Sequence, residues 1–381
     1  MERIYVDHAA TSPTHPLVIE KMIPYMNQAF GNPSSIHHFG RETRRVVDEA
    51  RSYIAKSINA HPHDITFTSG GTEGDNLAII GAAKSNSHKG KHIVTTEIEH
   101  HAVLNSCKHL ESLGFSVTYL PVDETGRVSV TDLEHALTDE TILVSIMYAN
   151  NEVGTVQPIK EIGQLLKEHD ILFHTDAVQA YGMIAIDVED LQVDLLSISG
   201  HKINGPKGIG FLYSRPRVSF TPHFFGGEQE RKRRAGTEDV PAIAGLKEAV
   251  KLISENKEEK VRTYKQYRDM MIAIFDREEI EYHINGHQEY SLPNIINVSF
   301  PGTTAESLLM NFDLAGIAAS SGSACTAGAL KPSHVLTAMY GENDERVMAA
   351  IRFSFGLGNT EKQIATVATK VAQIVKRITA V

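Results

Sequence analysis

Cysteine is scarce in this chain: of 381 residues only Cys107 and Cys325 carry thiols. Two thiols cannot build a disulfide framework, which excludes a small stapled scaffold, fits a reducing compartment and leaves at least one thiol free for chemistry. Long apolar runs are missing too. No stretch reaches membrane length, and the opening residues Met1-Glu2-Arg3-Ile4-Tyr5-Val6-Asp7 carry no signal-peptide pattern, so the expected location is the cytoplasm, away from any membrane. Positive charge is in deficit, with 37 Lys and Arg against 47 Asp and Glu and a formal net charge of −10. That balance argues against general nucleic-acid affinity. Neither an internal repeat nor a low-complexity tract is present. What remains is the composition of a soluble globular enzyme, 41% hydrophobic and 22% charged. Its length calls for a major domain with a smaller companion.

The stretch Ser199-Gly200-His201-Lys202-Ile203-Asn204-Gly205-Pro206-Lys207-Gly208 lies between two apolar runs, Val193–Ile198 and Ile209–Tyr213, that read as buried strands. It therefore sets Lys202 at a strand end, on backbone that yields space. A lysine buried there loses its charge readily, as a Schiff-base lysine requires. Taken alone, the stretch fits an ordinary surface turn better, and other parts of the chain must overturn that reading. Upstream, short apolar runs alternate with helical periodicity: strands at 65–68, 92–96, 117–122, 142–149 and 172–176, helices at 41–58, 102–113, 131–137 and 159–168. This alternation predicts an α/β fold, a mostly parallel sheet covered on both faces. Ligands in such folds bind beyond the carboxyl ends of strands. There the reading places Thr72, Glu99, His100, Asn150, Asn151, Asp176 and Lys202.

Ser69-Gly70-Gly71-Thr72-Glu73-Gly74 joins a strand to a helix start, where free N–H groups and the helix dipole favour an anion. A plain βα turn fits the same residues, and neither a Walker A loop nor a dinucleotide fingerprint is spelled. The helix predicted at 240–255 runs into the charged stretch Glu255-Asn256-Lys257-Glu258-Glu259-Lys260, a solvated helix surface or a linker, near which the domain boundary is expected. Beyond it come a strand at 295–300, helices at 305–312 and 333–340, a strand at 351–354 and a closing helix from Thr360.

Lysine at one strand end and Asp176 at another suggest pyridoxal 5′-phosphate, which needs a lysine imine and a carboxylate on its pyridinium nitrogen. Asp176 as the cap of a turn is the plainer alternative. His100 offers a flat aromatic face. Adjacent residues point apart, so His100-His101 makes a poor metal pair, and no metal is expected. Cys107 shares helical spacing with Val103, Leu110 and Gly114 and reads as a packed core thiol. Cys325, in Ser320-Ser321-Gly322-Ser323-Ala324-Cys325-Thr326-Ala327-Gly328-Ala329, has neighbours too small to anchor a core and reads as the nucleophile.

Four separated motifs, Ser69-Gly70-Gly71-Thr72-Glu73, Asp176-Ala177-Val178-Gln179, Ser199-Gly200-His201-Lys202 and Ser320-Ser321-Gly322-Ser323-Ala324-Cys325, occur in the order found in the cysteine desulfurases of the NifS/IscS type. The resemblance runs nearly end to end. It implies a fold-type I pyridoxal-phosphate enzyme with a seven-stranded sheet in a large domain, 14–256. A small α+β domain, 1–13 with 257–381, would carry the cysteine loop, 320–332. It further implies that Lys202 holds the cofactor, Asp176 pairs with the pyridinium and His100 stacks on the ring. Gln179 and Asn151 would approach the ring hydroxyl. Gly71, Thr72, Ser199 and His201 would hold the phosphate, joined by Thr237 from a second subunit and hence a homodimer. Arg352 would clamp the substrate carboxylate, with Asn151 beside it.

The activity so implied is conversion of L-cysteine to L-alanine with sulfur passing to Cys325 as a persulfide, then to an acceptor. An iron–sulfur scaffold and a tRNA-thiolating enzyme are both candidate acceptors. The chain ends at Val381 without the extended tail by which some housekeeping members dock a scaffold. The run Arg231-Lys232-Arg233-Arg234 reads as a solvated turn or as support for the cofactor phosphate, not as a nucleic-acid contact. Aminotransfer or selenocysteine lysis on the same fold, and a sulfur-relay protein without catalysis, are the rival readings.

Overall fold

The computed structural model describes residues 2–322 and 332–380. The chain opens with a short strand, β1 (Ile4–Tyr5), and two helices, α1 (Pro16–Asn27) and α2 (His38–Ser57). Then strands and helices alternate: β2 (Ile65–Thr68), α3 (Gly71–Asn76), α4 (Ala82–Asn86), β3 (His92–Thr96), α5 (His101–Ser112) and β4 (Ser116–Leu120). After these come α6 (Val130–Ala136), β5 (Thr141–Ser145), α7 (Ile159–Leu166), β6 (Leu172–Asp176), β7 (Leu195–Ser199) and β8 (Gly210–Ser214). The remainder comprises α8 (Val240–Arg277), β9 (His283–Asn285), β10 (Ile295–Ser299), α9 (Ala305–Leu314), β11 (Ile317–Ala318), α10 (His334–Tyr340), α11 (Glu345–Met348), β12 (Ala350–Ser354) and α12 (Glu361–Thr379).

Seven strands form one sheet in the order β2-β8-β7-β6-β5-β3-β4. Pairs from β7 through β4 are parallel, while β8 runs antiparallel to both its neighbours. Every residue of β5, β6 and β7 is buried, which explains their unbroken apolar runs: helices cover both faces, so no face alternates toward water. One cover is α2, whose Val47, Ala50 and Ile54 join Val144, Phe173 and Leu196 in a core. The opposite cover packs Leu77, Ile79, Val103, Cys107 and Leu110 on Leu143, Leu195 and Leu212. Cys107 is thus a packed thiol, and burial pushes it up to about 12.

A smaller sheet, β12-β10-β9, is antiparallel throughout. Its Ile296, Val298, Ile351 and Phe353 share a core with Tyr267, Met271 and Phe275 of α8 and with Ile364, Val367 and Val371 of α12. Both cores therefore draw on α8. This 38-residue helix runs about 57 Å without interruption, so the charged stretch at 255–260 is the solvated side of a helix and not a linker.

The expected strand at 142–149 is regular only to Ser145, although Tyr148 N–H still reaches Asp176 O at 2.8 Å. Helix α1 is absent from the expectations above. Its Pro16 and Pro24 disguise it, and it packs close on α8 because Gly245 leaves no side chain there: an added Cβ would meet Met22 at 2.8 Å.

Candidate active site

The carboxyl ends of β3, β5, β6 and β7 open on a cleft of about 520 Å³. Its wall brings together Gly71, Thr72, His100, Asn151, Asp176, Gln179, Ser199, His201, Lys202 and Arg352, residues up to 281 positions apart. Four expected members stand apart. Glu99 and Asn150 are buried off the cleft wall, Glu99 accepting Met147 N–H at 2.9 Å and Asn150 donating Nδ2 to Ile98 O at 3.0 Å. Thr237 is exposed elsewhere on the surface of this chain. Cys325 lies outside the described residues, three positions after Gly322, which lines the cleft.

Lys202 follows β7 in a short helical turn closed by Ile203 N–H bonding Gly200 O at 3.1 Å. Its Nζ donates to the carbonyls of Ala9 and Ala10. Burial, reinforced by Arg352, lowers it to about 8, so about a tenth of the amine is neutral at pH 7, far more than for a free lysine. Asp176 ends β6 and accepts Val178 N–H at 2.9 Å. Burial raises its pKa, but that N–H and Lys202 favour the anion.

His100 caps α5, accepting Ala102 N–H on Nδ1 at 3.1 Å. The acceptor role puts the ring proton on Nε2. Desolvation, Lys202, His101 and His334 outweigh the pull of Asp176 and lower its pKa, so the ring is neutral at pH 7. His201 is driven down to about 4 by burial, Lys202 and Lys207, and its Nδ1 lies 3.0 Å from Thr11 Oγ1.

At the other end of the cleft, helical turns run on from Gly71 to Asn86. The cap residue Gly70 has φ +146° and supplies no side-chain cap, which leaves N–H groups free at this end. A Cβ on Gly71 would strike Val178 Cγ2 at 2.8 Å, so the cradle accepts only glycine there. Arg352, 3% exposed, donates Nη1 to Asn151 O and Nη2 to Asp7 Oδ1, each at 2.8 Å, and its Nε has no partner.

The residues present fit pyridoxal phosphate: a desolvated lysine, a buried carboxylate across from it, and an uncapped helix start beside Ser199. Sequence reasoning missed Asp7, Ala9, Ala10, Thr11, Asp75, Val178 and Lys207. The two alanines act through backbone carbonyls and leave no side-chain signal, although the small-residue run His8-Ala9-Ala10-Thr11 marks a close approach. The basic run 231–234 is stitched to the body: Arg234 pairs with Glu73 at 3.1 Å, and Arg233 bonds Ser214 Oγ at 3.0 Å.

A mostly parallel sheet with a lysine and an aspartate at the ends of neighbouring strands, plus a small domain supplying an arginine, defines a pyridoxal-phosphate enzyme of fold type I. The aminotransferase class-V family model matches residues 4–367, and the chain belongs to that family. A relative from Bacillus subtilis (strain 168), named under IscS 1, is 59% identical over 379 residues, covering all of both chains. The cysteine desulfurase IscS of Methanosarcina thermophila is 50% identical over 375 residues, 98% of this chain and 92% of that one. Among solved structures, a NifS-like protein superposes with a TM-score of 0.92 at 37% identity, over 98% of this chain and all of the other.

Proposed function

We propose that this chain is a cysteine desulfurase that removes sulfur from L-cysteine, releases L-alanine and carries the sulfur on Cys325 as a persulfide. One observation carries the reading: Gly322 sits on the wall of the Lys202 cleft, and Cys325 follows it by three residues, about 10 Å of extended chain at most. A thiol so tethered can reach a substrate held beside Lys202. The names of the relatives support the same activity and substrate.

Lys202, Asp176, His100, Gln179, Asn151, Gly71, Thr72, Ser199 and His201 would hold pyridoxal phosphate, with Thr237 supplied by a second copy. When bound, the cofactor supplies an electron sink for the carbon that loses its proton. Arg352 binds the substrate carboxylate through its guanidinium, which Asp7 and the Asn151 carbonyl keep aimed. Lys202, able to shed its charge near neutral pH, takes the proton from the substrate α-carbon. His100 stays neutral and presents Nε2–H to the cleft. The Cys325 thiolate then attacks the substrate sulfur: the S–S bond forms, the Cβ–S bond breaks, and the electron pair stays on the three-carbon fragment. That fragment takes up protons and leaves as L-alanine. The persulfide passes to an acceptor protein, an iron–sulfur scaffold or a tRNA-thiolating enzyme.

A homodimer is part of the reading. Phe30, Ile36 and Phe225 are 69%, 91% and 84% exposed, a density of apolar surface that a second subunit would cover. Among the described residues no helix is long and apolar enough to cross a membrane, in keeping with a cytoplasmic enzyme.

The test is L-alanine released from L-cysteine in the presence of a reductant. Cys325→Ala should abolish release while keeping the visible absorbance of the lysine-bound cofactor. Equal release by both proteins would instead favour a lyase or aminotransferase on this fold.

A further inference from the structure

Beside Asp176, on the wall of the same cleft, lies a second carboxyl that the proposed reaction leaves without a task. Asp75 of α3 is 1% exposed, and its Oδ1 has no hydrogen-bond partner. Ligand atoms of Asp75, Asp176 and His100 lie within 4.8 Å of one another. Burying one anion is costly, and burying two within such a distance without a cation is prohibitive.

The neighbours of Asp75 offer no cation. The nearest basic atom is His174 Nε2, 3.6 Å away. His174 is fully buried and lowered by that burial to about 3, so it is neutral. Its Nδ1 lies 2.8 Å from Ser145 Oγ and its Nε2 3.0 Å from Ser197 Oγ, both hydroxyls themselves inaccessible. Ser197 also serves the Asp75 carboxyl. No lysine or arginine among the described residues pairs with Asp75. From the β3–α5 turn, Glu99 faces the cluster, but burial pushes it up to about 8 and leaves it mostly protonated at neutral pH. Lys202, on the wall of the cleft, favours the Asp176 anion.

The two carboxyls are therefore unequal. Asp176 has Val178 N–H and Lys202 in its favour. Asp75 has burial and the Asp176 charge against it, which raise it well above the ordinary range. One proton shared between them settles on Asp75.

We propose that Asp75 is a positioning residue of the cofactor site: a neutral carboxylic acid whose proton is directed at Asp176, holding that carboxylate ionised and aimed at the ring nitrogen. The hydrogen bonds behind it then run in one sense, Ser145 O–H to His174 Nδ1, His174 Nε2–H to Ser197, Ser197 O–H to Asp75, and Asp75 O–H to Asp176. An ionised Asp75 would do the opposite. Its charge would raise the proton affinity of Asp176 and draw the ring proton onto the carboxylate. The inference rests on the assignment of Asp176 to the ring nitrogen.

Two measurements test it, one without cofactor. Infrared difference spectra of apoenzyme at neutral pH, wild type minus Asp75→Asn, should lose the C=O stretch of a protonated carboxylic acid. Loss of an ionised-carboxylate band in its place would overturn the proposal. Should Asp75→Asn not fold, Ser197→Ala serves, since loss of its hydroxyl should shift the same acid band; an unmoved band is equally fatal.

The second measurement is the ¹⁵N signal of ring-labelled cofactor, with its dissociation constant. Asp75→Asn, whose amide N–H donates in place of the acid, should keep the wild-type signal and affinity. Asp75→Ala should move the signal toward an unprotonated ring and weaken binding about tenfold or more, the effect of one hydrogen bond to a charged group. A merely structural residue would destabilise the apoenzyme and leave the ¹⁵N signal where it was, which would overturn the proposal. A wild-type ring nitrogen found unprotonated would fail the Asp176 assignment itself, whatever the infrared spectra show.

Discussion

Lys202 shares a cleft with Arg352, whose guanidinium disfavours the charge on the lysine. Because burial and then Arg352 bring Lys202 to about 8, cofactor capture by apoenzyme should speed up as pH rises through about 8, where the neutral amine becomes abundant. Removing the guanidinium charge with Arg352→Met relieves one of the two depressing influences, so the midpoint should move to higher pH. Stopped-flow absorbance during reconstitution reads both, and an unmoved midpoint would mean that Arg352 does not act on the lysine. Arg352→Lys keeps the charge but loses the planar fork. The KM for L-cysteine should then rise about tenfold or more, as a charge-assisted hydrogen bond of ~1.5–3 kcal/mol is lost. Lys202 and Asp176 were legible in the sequence because their chemistry resides in their own side chains, whereas Arg352 entered only through the family resemblance. Asp75 and Asp7 were not legible, since a carboxylate on a helix or strand end looks the same whether it faces water, is buried on a cleft wall or pairs with a distant arginine.

At the scale of elements, β2, β3 and β6 occupy the spans predicted for them. Buried parallel strands announce themselves as apolar runs bounded by turns. Helix α1 did not, because its apolar residues encircle it: Met22 and Tyr25 pack inward, while Leu17, Ile19, Ile23 and Met26 are exposed. The segment before α8 was equally opaque, because what fixes it is an ion pair between distant residues. Arg51 of α2, 4% exposed, meets Glu230 through two bonds of 2.7 and 2.6 Å, and Glu230 also accepts Phe67 N–H at 3.0 Å. Glu230, Arg231 and Lys232 adopt φ of 46°, 57° and 64°, a run that side-chain-bearing residues rarely take. The buried pair offsets that strain. Arg51→Met strips Glu230 of its buried ion-pair partner, a loss of about 3–5 kcal/mol. Urea unfolding of the apoenzyme measures it, and a change below 1 kcal/mol would show that the pair is not what holds this segment.

For the molecule as a whole, the strained anchor matters because of what it carries. On one side of Glu230 the chain presents Phe224 and Phe225, 52% and 84% exposed; on the other it presents Thr237, exposed and not on the wall of its own cleft. A segment tied down at its middle by a buried ion pair yet baring aromatic rings is shaped to meet another surface. If that surface is a second copy, with Thr237 reaching the partner's phosphate cradle, then assembly and cofactor retention are one property. Phe225→Asp places a charge in the contact and should therefore shift sedimentation velocity toward the monomer and weaken cofactor binding in the same concentration range. Raising the protein concentration should restore both together. A Phe225→Asp protein that remains dimeric would remove this ring from the interface. A monomer that keeps full cofactor affinity would show that each cleft holds its cofactor without Thr237 of its neighbour.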